Sequence, residues 1–163
     1  MRIHITGNAG AGKTTLARKI GADLDLPVFG LDRVVWQSGW KKTDAGLRGR
    51  LESELIAKPA WVIEGVSDVI RRSADITIFL DPPHHQCLWR ALKRSLRFLF
   101  KGRPELPPNC PEYMILPRLF QITSRFQSRV RPKILNDMVR GTNFMHLRSS
   151  VEFDINELRR RLT

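Results

Sequence analysis

Residues 7 to 14 read Gly7-Asn8-Ala9-Gly10-Ala11-Gly12-Lys13-Thr14, which satisfies G-x-x-x-x-G-K-[ST] at each fixed position. Such a run binds phosphate only when it leaves a strand and enters a helix. Both flanks agree. Arg2-Ile3-His4-Ile5-Thr6 alternates like a strand, and Leu16, Ala17, Ile20 and Leu24 recur like one face of a helix. The glycines let main-chain N–H groups turn toward an anion without a Cβ clash. The positive end of the adjoining helix lies behind them. Lys13 is placed to reach the β- and γ-phosphates of ATP, and Thr14 to offer a hydroxyl to Mg²⁺. The expected nucleotide-binding set is therefore Gly7, Asn8, Ala9, Gly10, Ala11, Gly12, Lys13, Thr14 and the adjoining Thr15.

The chain has 163 residues, enough for one domain with its own core, and a hydrophobic content of 42%, ordinary for a folded protein. No apolar run approaches the ~20 residues of a membrane span. The first strand begins at the N-terminus with no leader pattern, so the expected location is cytoplasmic. Cys87 and Cys110 show no metal-binding spacing and read as free thiols. His84-His85, just after Pro82-Pro83, reads as a helix start rather than a metal site.

Strands are expected at 2–6, 28–32, 61–65, 76–81 and 144–148, and helices at 13–24, 44–57, 84–100, 117–130, 132–140 and 154–162. The runs at 61–63 and 76–80 are almost continuously apolar, as in strands covered on both faces. Strand–helix alternation with this loop predicts a three-layer α/β fold, one domain over 1–163 around a parallel sheet. Residues 102–117 contain Pro104, Pro107, Pro108, Pro111 and Pro117, so neither a regular helix nor a central strand fits there.

In open α/β sheets, ligands meet the carboxyl ends of the strands. Three of these strands end in an acid: Asp32, Glu64 and Asp81. Phosphoryl transfer needs a held metal and a group that orients or deprotonates the acceptor. Asp32 suits the acceptor side. Glu64 suits Mg²⁺, through water, because Mg²⁺ keeps several waters. Asp81, followed by two prolines, reads as a strand end that caps the next helix.

Charge is uneven. Residues 90–133 hold eleven Lys or Arg against two acids, Glu105 and Glu112, which is nine of the chain's twelve net charges. Leu88, Leu92, Leu96 and Leu99 form one helical stripe there, and Arg90, Arg94, Arg97 and Lys101 another. Like charges repel unless an external anion joins them. Two basic helices joined by a Pro-rich hinge are expected to close over a nucleotide as a lid, with Arg90 and Arg94 facing the phosphoryl group. A ranked-second reading takes the same charge as a nucleic-acid surface switched by nucleotide.

The chain resembles the adenylate kinase-like branch of P-loop kinases. The likeness rests on the loop, on Glu64-Gly65 ending the third strand, and on Asp81 lying nine residues before Arg90-Ala91-Leu92-Lys93-Arg94. The resemblance implies strand order 2-3-1-4-5, Arg90 against adenine, Arg94 on phosphates, and the loop near Arg148 and Ser149 at the base. The runs around Asp32–Trp36, Trp61–Gly65 and Cys87–Arg90 also resemble small bacterial proteins of this branch, some labelled DNA topology modulation protein. The implied partners are a nucleotide donor, Mg²⁺ and a small acceptor. Val35 stands where an adenylate kinase has its acceptor arginine, which leaves Arg33, Arg48, Arg50, Arg71 and Arg72 as alternatives. Trp36 and Trp40 offer either a stacking surface or core packing.

Overall fold

A computed structural model describes residues 1–100, 103–141 and 143–162. Lys101, the last member of the expected basic stripe, lies outside them. Five parallel strands build the main sheet: β1 (Arg2–Gly7), β2 (Val28–Gly30), β5 (Trp61–Glu64), β6 (Ile76–Leu80) and β7 (Phe144–Leu147). Their spatial order is β2-β5-β1-β6-β7, which in chain order is the expected 2-3-1-4-5. β1 is central, with Ile5 beside Glu64 on one side and Ile78 on the other. A two-stranded antiparallel hairpin, β3 (Trp36–Gln37) and β4 (Lys41–Lys42), stands apart from the sheet.

Alternation divides the core between two faces. Ile3, Ile5, Val62, Ile78 and Leu80 pack with Leu16, Ala17 and Ile20 of α1 (Lys13–Leu24) and with Leu158 of α8 (Ile155–Leu162). On the opposite face, Trp61 and Ile63 meet Val34 of α2 (Asp32–Val35), Leu51 and Leu55 of α3 (Ala45–Ile56) and Ile70 of α4 (Asp68–Ser73). Phe79 continues that face with Phe126 and with Ile134 of α7 (Arg131–Arg140). The short α2, α4 and the hairpin are additions to the expected elements; each is too brief to show a period.

Two helices differ from expectation. In α5 (His84–Arg97) the buried residues are Cys87, Ala91 and Ser95, whereas Leu96 is exposed. Small residues are needed on this face because the loop backbone lies against it: a Cβ on Gly10 would sit 2.2 Å from the Cys87 carbonyl oxygen. The segment expected as one helix over 117–130 is a 3₁₀ turn (Leu116–Arg118), then α6 (Leu119–Arg125), then a π turn (Phe126–Val130) that runs into α7.

Asp81 keeps a structural role, but not as a cap. It accepts from Arg131 Nε and Nη2 at 2.9 and 2.8 Å and lies 3.1 Å from His146 Nε2. The ion pair lifts the Arg131 guanidinium above its ordinary value, chiefly through the hydrogen bond. His146 is stacked on Phe79, with ring centroids 5.1 Å apart. The cluster ties β6, β7 and α7 together.

His4 lies fully buried in β1, with Nε2 donating to the Gly65 carbonyl at 3.1 Å. Burial lowers its pKa from 6.5 to about 3. Between those values the unfolded chain binds the proton that the folded one refuses, so stability falls as pH drops through that window. The slope from this group approaches about 1.4 kcal/mol per pH unit. Urea midpoints compared between about pH 7 and pH 4.5 should therefore fall more in the native chain than in His4→Leu. Equal falls would place the acid sensitivity elsewhere.

Candidate phosphoryl-transfer site

The glycine-rich loop joins β1 to α1 at the carboxyl edge of the sheet. Gly10 has φ +80° and Gly12 φ +99°, conformations that suit glycine. Asn8 is buried and braces the loop twice: its Oδ1 accepts from Ala9 N at 2.8 Å, and its Nδ2 donates to the Thr123 carbonyl of α6 at 3.0 Å. Lys13 Nζ donates back to the Asn8 carbonyl at 2.9 Å. Thr14 Oγ1 donates to Glu64 Oε1 at 3.0 Å. Strand alternation accounts for that contact, since Glu64 shares the face of Val62, which α1 covers.

A cavity of about 710 Å³ opens from this loop toward α2 and the hairpin. Lys13, Thr14, Asp32 and Glu64 line it together, and so do Trp36, Trp40, Lys42 and Arg48. Arg94 of α5 and Arg118, Arg125 and Arg129 of the α6 region complete its basic wall. Glu64 is 6% exposed, and burial pushes its carboxyl above the ordinary value despite the opposing charge of Lys13. Asp32 starts α2, half open to the cavity, with Arg103 Nη1 3.7 Å from its Oδ2. Arg94 is held below its ordinary value, first by burial and then by the neighbouring Arg103, and its Nε is buried without a hydrogen-bond partner.

Other expected site residues lie elsewhere. Arg90 is exposed on the turn of α5 that meets Gly10 and does not line the cavity. Arg148 is exposed; its main-chain N–H donates to Glu152 Oε2 at 2.8 Å, while Ser150 next in the turn approaches Gly12. Of the five alternative acceptor arginines, only Arg48 lines the cavity. Arg33 donates to the Pro104 carbonyl at 2.6 Å, and Arg71 is buried against Asp68 and Asp137. Trp36 and Trp40 meet edge to face, with centroids 5.3 Å apart.

The Pro-rich segment is not a free hinge in its described part. It docks on the turn of the hairpin, where Gly39 N donates to the Asn109 carbonyl at 3.0 Å and Trp40 Nε1 to the Pro111 carbonyl at 2.9 Å, and on α1, where Arg18 pairs with Glu105 at 2.6 Å. Sequence reasoning missed Arg103 and Glu112, which this docking brings to the cavity wall, and Ser95, which meets Glu112 from α5. The available signal was Glu112 itself, one of two acids among eleven cations.

No metal-binding cluster of three or more His, Cys, Asp or Glu exists among the described residues. The donor set at Thr14 and Glu64 fits Mg²⁺, which takes few protein ligands and completes its shell with water and phosphate oxygens.

Changing Gly10 to Ala should both destabilise the fold and weaken triphosphate binding. The added Cβ meets backbone at 2.2 Å and carries a left-handed φ. A cost of at least about 1–3 kcal/mol is expected. Thermal unfolding and calorimetric titration with ATP measure the two effects, and an unchanged midpoint would mean that loop and α5 separate freely.

No family model matches the chain, and no curated protein matches it. Solved structures do. Shikimate kinase from Bacteroides thetaiotaomicron superposes with a TM-score of 0.51 at 17% identity, over 99% of this chain and 94% of that one. A provisionally assigned kinase from Chloroflexus aurantiacus gives 0.54 at 14% identity, over 99% of both chains. An uncharacterized protein from Eubacterium ventriosum gives 0.51 at 14%, over 99% and 98%. The chain thus has the three-layer P-loop α/β fold that it shares with these proteins.

Proposed function

We propose that the chain transfers the γ-phosphoryl group of ATP to a hydroxyl of a small acceptor, as a P-loop kinase of the adenylate kinase-like kind. The observation that carries this reading is the convergence of loop, carboxylates and arginines on one cavity. Lys13, Thr14 and Glu64 line it beside Asp32, and Trp36, Trp40 and Arg48 line the same cavity. Such a cavity holds a donor and an acceptor side by side.

Thr14 and, through water, Glu64 would hold Mg²⁺, which would supply positive charge to offset that of the phosphates. Lys13 leaves the Asn8 carbonyl for the β- and γ-phosphates. Asp32 accepts the hydrogen bond of the acceptor hydroxyl and takes its proton as the new O–P bond forms and the bond to the β-phosphate bridge breaks. Arg94, already desolvated, gains most when negative charge grows on the phosphoryl oxygens.

The acceptor is itself an anion in this reading. Eight cationic side chains line the cavity against three acids, and magnesium already offsets much of the triphosphate charge. Arg48 is the anchor for the acceptor's negative group, since its Nε is tied to Glu52 at 2.9 Å and its Nη2 to the Val66 carbonyl at 3.2 Å, which fixes the guanidinium. A nucleoside monophosphate fits, with its base on Trp36, and so does a carboxylated alcohol. The nucleic-acid alternative has less behind it, because five arginines of the basic segment, Arg94, Arg103, Arg118, Arg125 and Arg129, gather around this cavity rather than on one open face.

Lys13→Ala should abolish turnover in an ATP-consumption screen of nucleosides, monophosphates and hydroxy acids with Mg²⁺. Asp32→Asn should keep the ATP Kd within about threefold and cut transfer by about 10²-fold or more. Arg48→Gln should raise the acceptor KM by about tenfold or more with little effect on ATP. Turnover unaffected by Lys13→Ala would end the kinase reading, and equal losses of binding and rate in Asp32→Asn would move that residue to the donor side.

A further inference from the structure

Glu112 has no part in the transfer chemistry, yet it is buried at 1% exposure in the wall of the cavity. A carboxylate is costly to bury unless it is paired and hydrogen-bonded. Here it is both. Ser95 Oγ of α5 donates to its Oε2 at 2.6 Å, and Arg103 Nε pairs with its Oε1. Arg103, with a side chain 9% exposed, extends from that pair to Asp32 Oδ2 at 3.7 Å. One chain of contacts thus runs from the last turn of α5, through the Pro-rich segment, to the Asp32 carboxylate.

We propose that Glu112 is the positioning residue of the site, which presents the Arg103 guanidinium to the reacting side of the cavity, and that Arg103 is a second anion-holding arginine beside Arg94. The inference rests on the kinase reading for what the site does, but on geometry for how Arg103 is held.

Three observations support it. First, two guanidiniums share this wall, and each repels the other. Glu112, Asp32 and Glu105 are acids that offset them, and of these Glu112 is the one that is buried and already held by Ser95. Without its charge, Arg103 is left with Asp32 as its near partner, which would occupy the group needed for the acceptor hydroxyl. Second, Ser95 is one of the three buried small residues on the α5 face. Its hydroxyl fixes the carboxylate to the same helix that carries Arg94 and that backs the loop at Gly10. Both arginines are therefore referenced to one rigid element. Third, the Pro-rich segment is fastened on either side of Arg103 and Glu112 without using either side chain. Arg33 donates to the Pro104 carbonyl, Cys110 Sγ lies 3.4 Å from the Gln37 carbonyl, and Tyr113 N donates to the Leu99 carbonyl at 3.2 Å. The segment has other anchors, so the buried ion pair is spent on orientation.

The test is a double-mutant cycle of Glu112→Gln and Arg103→Gln, with Ser95→Ala as a milder third variant in case Glu112→Gln folds poorly. Turnover of ATP with Mg²⁺ and the best acceptor of the screen is measured beside the calorimetric Kd for ATP. Each single variant should lower kcat by about tenfold or more while the ATP Kd moves by less than about threefold. The double variant should be no slower than Arg103→Gln alone, because Glu112 acts through Arg103. Ser95→Ala should lower kcat in the same sense and by less. Losses that multiply in the double variant, or a Kd that worsens in step with kcat, would overturn the proposal.

A second readout does not depend on turnover. Arg103 Nε is buried beside the carboxylate, so its N–H resonance in a ¹⁵N spectrum of the whole chain should exchange slowly with water in the native protein and in Ser95→Ala, and should be lost in Glu112→Gln, where the side chain is released to solvent. A resonance that survives Glu112→Gln overturns the positioning role even if the chain is a kinase. If the native chain binds ATP but transfers to no acceptor, the kinase reading fails while this readout still decides how Arg103 is held.

Discussion

The close approach of the glycine-rich loop to α5 is the constraint on which the rest is built. Gly10 allows main chain to lie against main chain, and Cys87, Ala91 and Ser95 keep the facing turns of the helix low. A larger residue at any of these positions would lift the loop away from the sheet edge. That seam sets where Lys13 and Thr14 stand relative to Arg94. It also explains why the leucines of α5 are the less buried set: their stripe faces away from the seam, and Leu96 is 55% exposed.

Much of the architecture is legible in the sequence. The five strands announce themselves through continuous or alternating apolar runs, and the loop motif fixes how the first strand and helix meet. The implied strand order is the observed one. Two kinds of feature escape. Elements of two to six residues, such as the hairpin and α4, carry no measurable period. Periodicity also finds the helix over 84–97 yet assigns its inner face to leucine, because it ranks residues by hydrophobicity and says nothing of backbone contact.

The site is legible to a similar degree. Strand ends and spacing single out Lys13, Thr14, Asp32, Glu64 and Arg94, and one cavity brings them together. Arg148 rests on resemblance, whereas Arg90 shares with Arg94 both the charged stripe and the resemblance; Arg90 and Arg148 are exposed and lie outside that cavity. Arg103 and Glu112 are hidden in a Pro-rich stretch that has no period at all. Their meeting depends on long-range docking, through Trp40 and Gly39, that local sequence does not encode. The positive charge of residues 90–133, by contrast, reads plainly once its destination is known: Arg94, Arg103, Arg118, Arg125 and Arg129 all border the same cavity.

The π turn at Phe126–Val130 has a consequence for that charge. A turn of this type holds one residue more than an α turn, so α7 is rotated about the helix axis relative to α6. Arg125 and Arg129 border the cavity, whereas Arg131, two positions later, turns away from it to grip Asp81 beyond the end of β6. One surplus residue in the winding thus splits a single basic tract into two allotments, one for a guest molecule and one for the framework that receives it.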